Sequence, residues 1–340
     1  MIEKRSQGRR ELQKDIQSKR ELKTITHSMT QCFQECRQKW DYRYNKQIVP
    51  VKPIRSLDVG SAVHAGLEFW FKFGLRAGAV DAALSRGAES GLTVDEMIKV
   101  RVMIEKYCDV YAQEDFEVVS IEDTFTLPLV NPVTGRISRT FAFRGKTDGV
   151  VKKDGKYWIL EHKTTSSITE QYINRIDIDA QIALYGWALE RMGTPIEGAI
   201  YDIIQKPSCV WKVGETDEEF EVRKAALIAK SKTGKTTAKK QEPDTYDTFF
   251  ARCNDAVTAD SFRRVEVPLT KDRKREAVQN MWFAAKDMMT AKIYPNTGSC
   301  TKYDGCQYLG LCREHGDVTK CPDEFKHEMA HIELEESHVG

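Results

Sequence analysis

No stretch of this 340-residue chain is both apolar and long enough to span a membrane, and its first residues, Met1 to Lys23, are charged and lack the hydrophobic segment of a secretory leader. Net charge is scarce as well. Fifty-two basic residues against 51 acidic ones leave +1, so no global field draws in nucleic acid and any DNA path must rest on local patches. The nine cysteines are odd in number, which argues against a disulfide framework and for a reduced, cytoplasmic chain with no membrane partner. No internal repeat is evident. A phosphate-binding loop is missing too: Gly234-Lys235-Thr236 carries the ending of one, but Ala229 stands in place of the first glycine and no strand leads in. What remains, at 41% hydrophobic and 30% charged residues, is a globular chain of one elaborated domain or two small ones.

The richest local pattern surrounds Asp148. Phe141 to Val151 reads as a strand, Lys153-Asp154-Gly155-Lys156 as a turn, and Tyr157 to Lys163 as a second strand. Alternation puts Tyr157, Ile159, Glu161 and Lys163 on one face of the second strand and Trp158, Leu160 and His162 on the other. Glu161 and Lys163 therefore point the same way, and Asp148 on the neighbouring strand completes a pocket of two acids and one amine. Such a pocket suits a hard divalent cation that binds through oxygen and keeps several waters. Phosphodiester hydrolysis needs an activated water, neutralised phosphate charge and help for the leaving oxygen. Asp148 and Glu161 would hold Mg²⁺ or Mn²⁺, the backbone carbonyl of His162 would add a ligand, and Lys163 would position the water or steady the pentacovalent charge. Read alone, the motif equally fits a surface hairpin in which Glu161 and Lys163 form a weak ion pair.

Three helical patterns flank it. Val63, Leu67, Trp70, Phe71 and Gly74 fall on one side of a helix, leaving His64 and Glu68 on another shared face. Thr93-Val94-Asp95-Glu96 is a capping box that opens a helix toward Tyr111. Gln181 and Tyr185 lie one turn apart on a helix predicted from about Asp177 to Met192. In isolation His64 fits a partly buried histidine and Tyr185 an amphipathic helix edge.

Taken in chain order, Gly60-Ser61-Ala62-Val63-His64, Asp148, Glu161-His162-Lys163 and Gln181-Ile182-Ala183-Leu184-Tyr185 make this sequence resemble the PD-(D/E)XK nuclease superfamily, in its RecB-like branch with the CRISPR-adaptation and phage exonucleases. The resemblance spans nearly the whole chain. It implies a restriction-endonuclease-like α/β fold, a mixed sheet flanked by helices. It also implies that His64 is a metal ligand beside Asp148 and Glu161, and that Gln181 and Tyr185 contact DNA or support the site.

Cys300, Cys306 and Cys312 recur at even spacing in a loop-rich segment that can wrap a metal centre. In the iron-sulfur members of the RecB-like branch, one N-terminal cysteine joins three near the C-terminus around a [4Fe-4S] cluster. By that resemblance the ligands are Cys36, Cys300, Cys306 and Cys312, with Cys32 a rival for Cys36. The five residues between Cys300 and Cys306 depart from the two that many members have. A zinc site from Cys312, Cys321, His327 and His331 is the competing reading, its two cysteines widely spaced for a zinc finger. Cys108, Cys209 and Cys253 read as buried or incidental thiols.

These landmarks divide the chain into an N-terminal helical arm with Cys36 (1–50), a helical layer carrying His64 (51–116), a nuclease core (117–206), an insertion with a basic loop at Lys224 to Lys240 (207–265), a C-terminal helix with the cysteine-rich loop (266–325) and a tail (326–340). The basic loop reads either as a grip on a phosphate backbone or as a solvated linker. The expected function is a Mg²⁺- or Mn²⁺-dependent DNA nuclease. The resemblance points to an exonuclease on single-stranded DNA or duplex ends in recombination, repair or phage DNA processing, working with a recombination partner protein. The alternatives are a non-cleaving DNA-binding or recombination-accessory protein on the same fold, and a zinc-stapled interaction protein.

Overall fold

The computed structural model describes residues 22–51, 55–302, 305–331 and 334; the first part of the polar arm (1–21) and the end of the tail (335–340) lie outside the described residues. The part of the arm that is described is not purely helical. It opens with strand β1 (Lys23–Ile25), continues through helices α1 (His27–Glu35) and α2 (Arg37–Trp40), and ends in strand β2 (Ile48–Pro50). Thr26 starts α1 by accepting the Met29 N–H at 3.0 Å, the usual task of a threonine N-cap. The helical layer follows as α3 (Arg55–Phe73), α4 (Arg76–Glu89) and α5 (Val94–Val110). Gly74, at φ 67°, stops α3 in a left-handed conformation. The expected capping box opens α5, where the Thr93 N–H donates to Glu96 Oε2 at 2.8 Å.

Strands β3 (Glu117–Ile121), β4 (Thr124–Val130), β5 (Ile137–Lys146), β6 (Gly149–Lys153) and β7 (Lys156–Thr165) come next. The single strand expected from Phe141 to Val151 is therefore two strands in two sheets. β5 lies between β1 and β4 in a three-stranded sheet, whereas β6 lies between β3 and β7 in a five-stranded sheet. Thr147 is buried and its N–H donates to the Asp123 carbonyl at 3.0 Å, which takes Thr147 and Asp148 out of both ladders. Helices α6 (Glu170–Ile176) and α7 (Ala180–Arg191) carry the chain across to β8 (Ile196–Gln205), which runs parallel to β7. Helices α8 (Asp217–Lys230) and α9 (Tyr246–Ala256) precede β9 (Phe262–Pro268), whose residues run across the 265/266 division and close the edge of the large sheet. The chain ends with α10 (Lys271–Thr290), α11 (Leu309–Arg313) and β10 (Phe325–His327), which pairs antiparallel with β2 and so ties the last described strand to the arm. Among the described residues, no helix is long and apolar enough to cross a membrane.

The alternation read along β7 divides two cores. Ile159 belongs to the same core as Ile182 and Leu189 of α7 and residues Val278 and Met281 near the chain's C-terminal end. Trp158 and Leu160 face the other way, with Val151, Ile200 and Phe71. Beyond them α3, α4 and α5 form a further core around Val63, Leu67, Ile104 and Tyr107. The sheet is thus covered by helices on both faces, as the resemblance implied.

One polar group sits inside this apolar frame. Asp202 on β8 has no exposed surface, yet it accepts the Tyr107 hydroxyl, lies 3.1 Å from His162 Nδ1 and 3.4 Å from Arg264 Nε. Burial alone would raise its carboxyl, but the His162 hydrogen bond and the Arg264 charge outweigh that and hold it below the ordinary value. Because the folded value is lowered, the stability it contributes is present above the ordinary carboxylate range and is lost as pH falls through the lowered one. Tyr107→Phe removes one donor from a fully buried carboxylate. It is expected to cost roughly 1–3 kcal/mol in urea unfolding; an unchanged midpoint would show that the network is not needed for stability.

Candidate active site

The break between β5 and β6 creates the site. Gly149 re-enters the ladder opposite Leu160, so the preceding residue, Asp148, is left beside the Glu161–His162 segment. Its Oδ2 accepts the His162 N–H at 2.7 Å, and its Oδ1 stands 3.5 Å from His64 Nδ1 on α3. Glu161 is 2% exposed. Its Oε1 accepts Lys163 Nζ at 2.5 Å and Gln181 Nε2 at 2.9 Å, while Gln181 Oε1 accepts the same lysine at 3.2 Å. The other oxygen, Oε2, is buried with no hydrogen-bond partner. An orphaned carboxylate oxygen in such a place is costly unless a cation meets it.

His64, Asp148, Glu161, Lys163 and Gln181 are brought together here. The His162 ring binds Asp202 and stacks on Phe71 at 5.3 Å with its other contact the His64 ring at 5.9 Å, while its backbone N–H donates to Asp148. Tyr185 is buried and packs edge-on against Phe125 at 5.3 Å. Gly145 is required there, since a Cβ would come within 2.8 Å of the Tyr185 ring. Glu122 is a residue that sequence reasoning missed. It lies in the turn between β3 and β4 at φ 58°, pairs with Lys146, and offers an oxygen that lies within 4.8 Å of both a His64 nitrogen and an Asp148 oxygen. The only hint in the sequence is an acidic pair, Glu122-Asp123, between two strand patterns.

The charges are strongly coupled. Burial pushes Glu161 up to about 7, against the pull of Lys163. Burial works to lower His64, but Asp148 outweighs it and raises the imidazole to about 9. The reverse effect holds Asp148 well below the ordinary carboxylate value. Lys163 likewise loses to burial but gains more from Glu161, and stays firmly cationic. The donor set, one imidazole and several carboxylates around an orphaned oxygen, fits Mg²⁺ or Mn²⁺.

A second cluster joins the two ends of the chain. Cys36, Cys300 and Cys306 line one pocket, and Cys36 Sγ accepts the Asn296 N–H at 3.3 Å. Cys312 is close enough to interact with all three. Cys32 instead belongs to the apolar core beside Phe33, where burial pushes its thiol up to about 11. Among the described residues, the four thiols do not form a group with all sulfurs within 4.8 Å. A tetrahedral zinc with bonds of about 2.3 Å needs sulfurs about 3.8 Å apart. Nor do Cys312, Cys321, His327 and His331 form such a group, and Cys321 packs in an apolar cluster with Tyr308 and Phe325. Cys108 and Cys253 are buried, as expected.

The basic segment is helical up to Lys230, and α8 buries none of its residues. Residues 206–216 separate that helix from β8, and at their start the Lys206 N–H donates to the Thr165 carbonyl at 2.8 Å, two residues beyond Lys163.

A cation entering this site must displace the protons of Glu161 and His64. Raised values mean that both groups are protonated at pH 6 in the metal-free protein, so binding strengthens as pH rises. Between pH 6 and 7 Mn²⁺ affinity is expected to rise by at least about tenfold, one factor of ten per proton released. Calorimetry in buffers of different ionisation enthalpy would read those protons directly; an affinity independent of pH would contradict the assignment.

The sequence model of the PD-(D/E)XK nuclease superfamily matches residues 24–313 of this chain. A crystal structure described as SSO0001 is similar over 92% of this chain and 96% of that one, with 12% identity and a TM-score of 0.34. No curated protein matches. With one family model spanning most of its length, the chain belongs to the PD-(D/E)XK nuclease superfamily.

Proposed function

We propose that this protein is a RecB-like, Mg²⁺- or Mn²⁺-dependent exodeoxyribonuclease acting on single strands or duplex ends in recombination, repair or phage DNA processing. The observation that carries the reading is that the His64–Asp148 and Glu161–Lys163 pairs lie side by side in one site, with Glu161 Oε2 buried and unpaired. His64, Asp148 and Glu161 would hold the cation, together with the His162 carbonyl. When bound, the metal supplies an activated water and neutralises the phosphate.

The chain's own residues do the rest. The His162 N–H and the His64 imidazole fix Asp148. Gln181 spans Glu161 and Lys163 and fixes their spacing. Because Lys163 is held above the ordinary lysine value, it serves as a fixed positive charge toward the phosphorane and not as a general base. Cys36, Cys300, Cys306 and Cys312 would hold a [4Fe-4S] cluster. The pocket lined by Cys36, Cys300 and Cys306, with Cys312 nearby, supports that reading. The cluster would act as a staple between chain ends.

End-labelled single-stranded and duplex DNA, incubated with anaerobically purified protein and Mn²⁺, tests the activity. Wild type is expected to degrade it, with the label pattern giving polarity. Asp148→Ala should abolish cleavage, Lys163→Ala should lower it about 10²–10³-fold, and Gln181→Ala about 10–100-fold. DNA binding without cleavage under every metal and end would establish the accessory-protein alternative. The same preparation is expected to be brown and to contain iron, and Cys306→Ala to be colourless; zinc without iron would refute the cluster.

A further inference from the structure

Away from the paired carboxylates, a second cavity opens at the C-terminal end of α7. It holds about 290 Å³ between that helix, the start of α10 and the turn of the β4–β5 hairpin. Ligand pockets begin at roughly this size, about 300 Å³. Its lining is of two kinds. Trp187, Pro132 and Val278 contribute apolar surface, while Arg191, Lys271, Lys274 and Arg275 contribute positive charge.

The charge is not balanced within the cavity. Glu190 is its one lining carboxylate among the described residues, and Glu190 is met by Lys274, whose buried ammonium also donates to the Ile196 carbonyl at 3.1 Å. Lys271 and Arg275 make one ion pair between them among the described residues, Arg275 with Asp272 at 3.0 Å, in an exposed position where solvent leaves such a pair weak. Bases at a helix N-terminus also oppose the macrodipole. Lys271, Arg273, Lys274 and Arg275 crowd the start of α10 with Asp272 and Glu276 beside them. The facing hairpin gives no relief, since no Asp or Glu occurs from Thr124 to Thr147 and Arg136 is exposed next to Gly135 of the cavity wall. In a chain of net charge +1 this is a local positive field that an anion relieves.

The apolar surface narrows the choice of anion. A bare phosphate has no use for an indole, whereas a nucleotide uses both parts, its base against Trp187 and its phosphate between Lys271 and Arg275. Arg191 lies 5.5 Å from the centre of the Trp187 ring, and guanidinium planes stack on bases as rings do. One helix links this cavity to the candidate active site. Gln181 stands near one end of α7 and Arg191 at the other, a span of about 15 Å at 1.5 Å per residue. A strand with a phosphate every 3.4 Å or so covers that distance in roughly four nucleotides. We infer that the cavity is a subsite for one nucleotide of the DNA strand, about four nucleotides from the reacting phosphate. The inference rests on the nuclease reading above and gives its substrate a second hold.

Fluorescence anisotropy of labelled oligothymidylates with the full chain in EDTA reads binding without cleavage. Replacing Lys271 and Arg275 together by alanine is expected to weaken a long strand and to lower the slope of log K against log salt by about 1.4, at about 0.7 per phosphate contact. Trp187→Leu should weaken the same strand about 5- to 150-fold, the worth of one stacked base, and Trp187→Phe, which keeps a ring, should bind nearly as wild type does. A trinucleotide is too short to reach from one site to the other and should not gain the affinity of the long strand. Thermal melting checks the Trp187 variants, and if these do not fold, the exposed Lys271 and Arg275 positions decide alone. Unchanged affinity and salt slope in the Lys271→Ala, Arg275→Ala protein overturn the subsite and leave the nuclease reading standing; no binding of DNA by wild type removes both. Thymidine monophosphate bound as tightly as the long strand would make the ligand a free nucleotide, and displacement of the strand by polyglutamate as readily as by unlabelled DNA would make it an acidic peptide, and either result overturns the strand path.

Discussion

Carboxylates removed from water must be met by positive charge, and that requirement organises this protein around Asp148. Burial penalises ionised Glu161 and Asp148, yet a lysine and a histidine stand against them at hydrogen-bonding or ion-pair range. The sheet supplies the geometry. β7 carries Glu161 and Lys163 on one face, the break before β6 delivers Asp148 beside them, and α3 and α7 bring His64 and Gln181 from opposite layers. Behind the site, Asp202 anchors the ring of His162 to Tyr107 and Arg264, so the backbone that holds Asp148 is itself held by three elements.

A second constraint closes the chain on itself. The Asn296 side chain donates to the Glu35 carbonyl at 2.8 Å, the Tyr308 hydroxyl to the Ile48 carbonyl at 2.9 Å, and β10 pairs with β2. The cysteine pocket lies along that seam. A metal centre there would join segments that hydrogen bonds already bring together, which makes its effect one of added stability between chain ends.

Much of this was legible in the sequence where the signal is local. Alternation along Tyr157 to Lys163 shows Glu161 and Lys163 on one face, and the structure has them 2.5 Å apart. The capping box at Thr93 and the helix bearing Gln181 and Tyr185 follow from short-range patterns as well. What escaped depends on long-range packing. The interruption at Thr147 needs the Asp123 carbonyl, which no periodicity reveals. Glu122 comes to the site only because β3 and β4 belong to different sheets and the chain turns between them. Asp202 and Tyr107 are 95 residues apart, and nothing in either segment announces the other. The strand at Lys23–Ile25 is three residues long and gains its ladder only from β5.

The most direct test of the account is anomalous diffraction from crystals of the full chain soaked in Mn²⁺. The account requires anomalous density bonded to Asp148, flanked by Glu161 and His64. Well-ordered crystals with that pocket free of Mn²⁺, or with manganese bound only elsewhere, would contradict it.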